Sequence, residues 1–413
     1  MYEILTEINN FIWGGGLIFL LLSTGLLYTV RLKFIQLRMP LFLWKSIGSR
    51  ESNKGISQFK TVCMSLGTSM GTGNITGAAA AVTVGGAGAV FWMWVSAFLG
   101  MAIVYAENSL SVIFGGEGSP GSFAYIEKGF KSRIIAVIFA VFCIFCSFGM
   151  GGMVQVNAFA ESLSVYYINK YTAALIIFLI ILSVVSGGAK RISTAAQYLM
   201  PAASLFYTVL CIAVMIKFRG NILPSFSAIF REAFGIRQAA GGGIGYAVSV
   251  GIRRGIFSNE AGLGSSPILH SAAESDSPQT QGMWSMFEVF FDTCICCTLT
   301  ALAVLCSGQG DIMSICRMML GKIGEPFLMA EMGVFSFCTV IGWYYCGESA
   351  YKYIFGKKKS MIFCIIFSLA AASGAVGGMK EIWTLSDIFN GLMIIPNICA
   401  LIILCDKVKN KYV

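Results

Sequence analysis

Eleven apolar runs, most of them near the length a helix needs to cross a bilayer, constrain this chain more than any other feature. They fall at about 11–30, 61–84, 88–113, 134–163, 173–187, 196–217, 239–262, 283–306, 327–354, 361–378 and 385–405 of the 413 residues. A spanning helix takes roughly 20. The runs do not alternate with a period of two, which sets aside the β-barrel, the other structure able to satisfy its own backbone in hydrocarbon. Hydrophobic residues make up 56% of the chain and charged ones 12%, too apolar a balance for one soluble core. The pattern predicts an all-α integral membrane protein with eleven transmembrane helices. The first run has no small-residue cleavage site, and its basic residues follow it, so it is expected to be a retained helix rather than a signal peptide.

Orientation follows from Lys and Arg in the connecting segments. With the N-terminus outside, the segments 31–60, 114–133, 188–195, 263–282, 355–360 and the tail from 406 are cytoplasmic and hold 18 basic residues, against 7 on the other side. The expectation is a multi-pass protein of the cell membrane with its C-terminus in the cytoplasm. The net charge of +9 is then topological: Lys357, Lys358 and Lys359 face anionic lipid, and no nucleic-acid partner is expected. Most of the fourteen cysteines lie within apolar runs, as Cys294, Cys296 and Cys297 do, and read as small buried residues in a reducing setting rather than metal ligands.

No Pro-rich or polar linker interrupts residues 1–413, so one transmembrane domain is expected. With 11–30 set aside as an extra N-terminal helix, ten core helices remain, five in a first repeat over 61–217 and five in a second over 239–405. Core helix 1 contains "GTSMGTGNITG" (67–77) and core helix 6 contains "GGGIGYAVSVGIRRG" (241–255). Glycine-interrupted segments at matching positions of two halves point to an inverted-repeat transporter with its site between the breaks. An odd number of helices per half makes the second repeat enter the membrane from the opposite side, as the charge count requires.

Unwound backbone survives in hydrocarbon only where protein, water or a ligand takes over its hydrogen bonds. Each glycine in a helix interior costs about 1 kcal/mol against alanine, and Gly67, Gly71, Gly73 and Gly77 fall within eleven residues. Glycines four apart also serve close helix packing, which suits Gly73, Gly77 and Ala81 but leaves Thr72 and Asn74 unexplained. A break near 71–74 would leave free carbonyls by Met70 and free N–H groups by Gly73, ends with about half a charge of each sign. A zwitterionic amino acid travelling with a cation answers both. A second break is expected at Ser249–Ile252. Arg253 and Arg254, at about 2.5–3.5 kcal/mol each in a helix centre, would line a water-filled cytoplasmic vestibule. Glu288 and Asp292 are functional candidates, Asp292 for a cation or proton. Glu107 is placed at the cytoplasmic interface and His270, the sole histidine, in a solvated loop.

The stretches "GTGNITG" (71–77), "GGAGAVFWMWVSAFLGM" (85–101), "MVQVNA" (153–158), "RGIFSNEAGLGSSPILHSAA" (254–273) and "GWYYCGE" (342–348) together resemble the alanine/glycine:cation symporter family, also called the sodium:alanine symporters. The resemblance implies the five-plus-five inverted-repeat fold of the bacterial leucine transporter, with discontinuous core helices 1 and 6. It also implies Na+- or H+-coupled uptake of a small neutral amino acid, alanine or glycine, by alternating access. It places Thr72, Gly73 and Asn74 on the substrate carboxylate, brings Gln155 in from core helix 3 and lines the site with Ser249, Gly251 and Ile252. Thr339 and Trp343 close it from core helix 8. Similarity of "GTGN" to the leucine transporter's own break puts Na+ among Gly67, Met70, Cys338 and Thr339. The chain departs from the family at Ala87, Ser249 and Cys338, and a thiol is a poor ligand for a hard cation. No cofactor is implied. The competing reading is a channel with the unwound helices as its filter. An enzyme would need a paired nucleophile and base, which the single histidine does not offer.

Overall fold

A computed structural model describes residues 2–46, 57–115, 121–163, 169–234, 243–272, 277–356, 360–377 and 379–409. Lys357, Lys358 and Lys359 lie outside the described residues. All regular elements among those described are helical. The chain runs α1 (Tyr2–Ile12), α2 (Gly15–Arg31), α3 (Met39–Ser46), α4 (Gln58–Ser69), α5 (Ala78–Gly85), α6 (Gly88–Phe114), α7 (Ser122–Phe130), α8 (Arg133–Cys146), α9 (Val154–Leu163) and α10 (Lys170–Val185). It continues through α11 (Gly188–Lys217), α12 (Ile222–Ala233), α13 (Gly243–Asn259), α14 (Ser265–His270), α15 (Pro278–Val289), α16 (Thr298–Ser307), α17 (Ile312–Leu320), α18 (Gly324–Phe355), α19 (Ser360–Ser373) and α20 (Met379–Ile403).

Local chemistry sets several of the starts. The side chains of Ser57, Asn169, Ser277 and Asp311 accept hydrogen bonds from Lys60 N, Tyr171 N, Thr280 N and Ser314 N, and Pro278 follows Ser277 in the first helical turn. Seven helical stretches are long and apolar enough to cross a membrane among the described residues: Tyr2–Arg31, Gly88–Phe114, Arg133–Leu163, Gly188–Lys217, Pro278–Ser307, Ile312–Phe355 and Lys380–Ile403. Lys170–Val185 and Ser360–Ser373 are shorter apolar helices. The remaining apolar runs are α4 with α5 and α13 with α14, each interrupted. This is a multi-pass membrane protein.

Three of the helical columns contain a π turn where the register gains a residue. These are Gly73–Gly77 between α4 and α5, Ser147–Met153 between α8 and α9, and Phe290–Cys297 between α15 and α16. Such turns free a carbonyl and re-aim the side chains that follow, and they concentrate at functional positions. The first holds Asn74, the second ends two residues before Gln155 and the third holds Asp292. In the packing, α6 is flanked by α13 and α15, while α18 crosses α4, α8 and α11.

Core helix 1 ends at Ser69 and restarts beyond Gly71. Met70 leaves helical geometry at ψ 67° as its N–H closes the last turn on Leu66 O. The second interruption is not where the sequence placed it. Helix α13 runs unbroken through Ser249–Ile252 to Asn259, and the chain unwinds over residues 260–264 instead. There Glu260 (φ 53°), Gly262 (φ 90°) and Gly264 (φ 76°) take left-handed conformations. The glycines before it serve packing: a Cβ on Gly251 would fall 2.3 Å from Ala89 O, and one on Gly255 2.0 Å from Ser96 Oγ, both on α6. Small residues four apart let two helix backbones close on each other.

One further expectation is corrected. His270 is not in a solvated loop: it ends α14 with 1% of its surface exposed. Glu107 is fully buried within the protein, and its Oε1 accepts from Asn397 Nδ2 at 2.5 Å. Polar residues that read as surface in sequence are satisfied here by partners on other helices.

The Gly251→Ala variant is expected to lose about 1–3 kcal/mol, the usual cost of overpacking, because the atom in its way is backbone. Thermal unfolding in detergent checks this, and an unchanged transition would show that Gly251 is not a contact glycine.

Candidate functional site

The break between α4 and the π turn is closed by side chains from two other helices. Gln155 Oε1 accepts from Thr72 N at 3.2 Å and from Thr72 Oγ1 at 3.1 Å. Thr339 Oγ1 donates to Gly67 O at 2.9 Å. A Cβ on Gly71 would lie 2.8 Å from Gln155 Oε1 and 2.9 Å from Thr339 Oγ1, so a side chain there would have to push these groups aside. The break therefore meets both α9 and α18 closely. Thr72, Gln155 and Thr339 come together as expected from the sequence.

One turn on, Asn74 is buried in the first π turn. Its Nδ2 donates to Asp292 Oδ1 at 2.5 Å, and Asp292 Oδ2 accepts from Ser258 Oγ at 2.5 Å and Thr293 Oγ1 at 3.0 Å. A carboxylate that receives three hydrogen bonds in a buried setting is satisfied as an ion. It also decides the orientation of the Asn74 amide, because only Nδ2 can face a carboxylate. Asn74 Oδ1 is left buried without a partner, an acceptor available to an ammonium group or a cation.

The second break shapes the opposite wall. Trp343, fully buried, donates from Nε1 to Glu260 Oε1 at 3.1 Å, and Ser265 Oγ donates to Glu260 Oε2 at 2.7 Å. A Cβ on Gly151 would stand 2.1 Å from Trp343 Cβ, so the indole is held against the second π turn. Asn397 Nδ2 donates to Gly262 O at 2.8 Å, and Ser122 Oγ donates to Gly264 O at 2.6 Å. The carbonyls exposed by the left-handed turn are thus capped from α20 and α7.

Among the residues expected to bind Na+, Gly67 and Thr339 are hydrogen-bonded to each other, and a Cβ on Gly67 would come within 3.1 Å of Cys338 Cβ. Met70 is buried at the adjoining break. The hard donors there are the Gly67 carbonyl and the Thr339 hydroxyl. The described residues contain no cluster of three or more His, Cys, Asp or Glu able to hold a metal.

The three residues expected from core helix 6 do not form a break. Gly251 packs on α6, Ile252 is buried within a continuous helix, and Ser249 lines an open cavity of about 320 Å3 with Val84, Arg253, Arg254, Phe257 and Asp387. Val84 stands at the end of core helix 1 remote from Gln58. The arginines therefore line a cavity at the end of core helix 1 away from Gln58. Phe257 forms its floor, with ring carbons 3.9 Å from where a Gly73 Cβ would stand and its ring stacked on Trp383 at 6.0 Å. Phe257, Ser258 and Glu260 escaped the sequence reading, although "SNEAGLG" carried a signal: two glycines two apart beside an asparagine and a carboxylate.

Replacing Gln155 with Ala is expected to weaken binding of a small amino acid about tenfold, the effect of one buried hydrogen bond to a charged group. Equilibrium binding to detergent-solubilised protein reads this, and unaltered affinity removes Gln155 from the site.

Residues 1–412 match the sodium:alanine symporter family. The chain is 35% identical to the sodium/alanine symporter AgcS of Methanococcus maripaludis, over 99% of this chain and 96% of that one. It is 36% identical to the probable sodium/glutamine symporter GlnT of Bacillus subtilis, over 99% and 90%. The amino-acid carrier protein AlsT of Bacillus subtilis shares 33% over 98% and 90%. Among solved structures, a manganese transporter from Eremococcus coleocola superposes with a TM-score of 0.60 at 11% identity, covering 83% of this chain and 78% of the other. That likeness is one of fold.

Proposed function

Because the chain belongs to the sodium:alanine symporter family, we propose that this transporter imports a small neutral amino acid, alanine or glycine, together with Na+ or H+ by alternating access. The observation that carries the reading is the break at Met70–Gly71, whose exposed backbone is met by two exchangeable side chains, Gln155 and Thr339. A substrate carboxylate takes the place of Gln155 Oε1 on the Thr72 and Gly73 side, at the positive end of the restarted helix. Gln155 then turns its Nε2 toward that carboxylate.

Asn74, expected on the carboxylate, suits the ammonium group better, since its Nδ2 is taken by Asp292 and its Oδ1 is open. Phe257, from the stretch before the second break, takes over the part expected of Ser249 and Gly251. The coupling cation sits at the Gly67 and Met70 carbonyls with Thr339, beside the Cys338 thiol, a soft neighbour that weakens a Na+ site. The first repeat spans 61–217 and the second 239–405, and the N-terminus is outside. This orientation makes the vestibule of Arg253 and Arg254 the outer one. A floor of Phe257 under that vestibule and a Trp343 wedged on Gly151 favour a carrier that opens one side at a time over a pore.

Relatives with near-equal identity carry names with alanine and with glutamine, so identity does not choose the substrate. The close contacts at Gly71 and between Gly151 and Trp343 favour a small side chain. Purified protein in liposomes is expected to accumulate radiolabelled alanine or glycine under an imposed Na+ or H+ gradient. One coupled charge is worth about 2.3 kcal/mol per 100 mV, close to 40-fold accumulation at about 1.4 kcal/mol per tenfold. Equilibration without accumulation under either gradient would defeat the proposal. Trp343→Phe is expected to shift preference toward a side chain one methylene longer by about tenfold, the low end of what one methylene is worth, measured by competition with labelled alanine.

A further inference from the structure

The extra N-terminal helices have no part in the site described above, yet they reach the cavity of Arg253 and Arg254 through one residue. Trp13 stands at the joint between α1 and α2 and is 6% exposed. Its Nε1 donates to Asp387 O of α20 at 2.8 Å, which fixes the plane of the indole. A Cβ on Gly391, one turn further along α20, would stand 2.3 Å from Ile12 Cγ2 and 3.3 Å from Trp13 Nε1. The joint is therefore seated closely on α20.

The Arg253 guanidinium lies over that indole, 5.7 Å from the ring centroid. Stacking occupies the flat face of a guanidinium and leaves its N–H edge free for hydrogen bonds. Arg254, the next residue, turns toward core helix 1. Both line the cavity of about 320 Å3 with Trp13, Ser249, Trp383 and Asp387. Among the described residues neither guanidinium makes an ion pair. With two guanidiniums and only Asp387 against them, the cavity carries a positive excess. Such a cavity draws anions, and the planar N–H edge of a guanidinium matches a carboxylate.

Spacing along α13 connects this cavity to the first break. Arg254 Nη1 lies 3.9 Å from the position of a Gly77 Cβ, and the Phe257 ring lies 3.9 Å from that of a Gly73 Cβ. The guanidinium and the floor are thus one helical turn apart, about 5 Å. A carboxylate held at the arginines is one turn from the ring that separates it from Thr72.

We propose that Arg253 and Arg254 capture the carboxylate of the entering amino acid before it passes Phe257, and that Trp13 is the positioning residue that holds Arg253 for this. Asp387, in the same cavity, answers the ammonium group. Loss of the indole frees the long Arg253 side chain to pair with Asp387, which cancels the two charges the zwitterion needs. The extra helices, outside the five-plus-five core, thereby acquire a part in substrate entry.

The identity of the ligand rests on the transport reading, so the test begins without transport. Phenylglyoxal, which reacts with guanidinium groups, is applied to the full chain in detergent, and modification of Arg253 and Arg254 is followed by mass spectrometry. The probe is propionate, which is alanine without its amine. Modification of Arg253 in the unaltered protein should slow about tenfold when propionate is at about ten times its dissociation constant. In Trp13→Ala the same protection should need about tenfold more propionate, the size of a desolvated cation–π contact. Leu17→Ala trims the same helix contact, since Leu17 Cδ2 is 3.6 Å from the Gly391 Cβ position, but leaves the indole in place. It should keep the unaltered titration, whereas a merely structural Trp13 makes the two variants alike and overturns its positioning role. Lack of protection by propionate, or a Trp13→Ala titration equal to the unaltered one, overturns the proposal. If Trp13→Ala does not fold, Trp13→Phe should shift the titration in the same direction by a smaller factor, and an unmoved titration overturns it. In liposomes Trp13→Ala is expected to raise the KM for labelled alanine about tenfold at unchanged maximal rate, and an unchanged KM overturns the part in entry. If the unaltered protein accumulates no amino acid while propionate still protects Arg253, the transport reading falls and the carboxylate site stands.

Discussion

Backbone that leaves the helix inside hydrocarbon must have its hydrogen bonds taken over by something else, and the two breaks in this protein answer that demand in different ways. At the second, Gly262 O and Gly264 O are capped by Asn397 and Ser122, and Asn397 is itself held by buried Glu107. Both carbonyls are thus satisfied by side chains of the protein itself. At the first, Thr72 N and Gly67 O are met by single side chains, Gln155 and Thr339. These are bonds that a ligand of the right charge could replace one for one, which supports the proposal that substrate binds at the first break.

The π turns extend the same logic. Inserting one residue into a helix costs backbone bonds but turns side chains to positions a regular helix would not reach. Asn74 and Asp292 meet at 2.5 Å because both sit in such turns, and Gln155 reaches the first break just after a third. The buried carboxylates are distributed so that each serves one joint. Asp292 orients Asn74, Glu260 positions Trp343, Glu107 anchors the second break, and Glu288 joins three helices on the Gln58 side. A carboxyl group in the membrane interior is tolerated when donors reach it, and here each of these four accepts at least one hydrogen bond within 2.5–3.1 Å.

Legibility in the sequence divides along physical lines. The break in core helix 1 could be read because glycine density and misplaced polar residues are local properties, and Gly71, Thr72 and Asn74 carry both. The break in core helix 6 was misplaced because the denser glycine run, 241–255, looks the same whether glycine serves a turn or a contact. Gly251 proved to be a contact only once α6 lay against it. His270 was misjudged for a related reason: burial of a polar residue depends on partners such as Glu288, 18 positions away.

By itself the sequence determined the membrane setting, the helical class, the family motifs and the residues of the first break, since hydropathy, run length and glycine propensity act over a few turns of chain. Only the tertiary structure decided where the second helix unwinds, which way the Asn74 amide faces, that Phe257 floors the vestibule of Arg253 and Arg254, and that one carboxylate joins α4, α14 and α15. The reason is that hydrogen bonds and steric contact act over about 3 Å, whereas the residues that make them here lie as far as 290 positions apart.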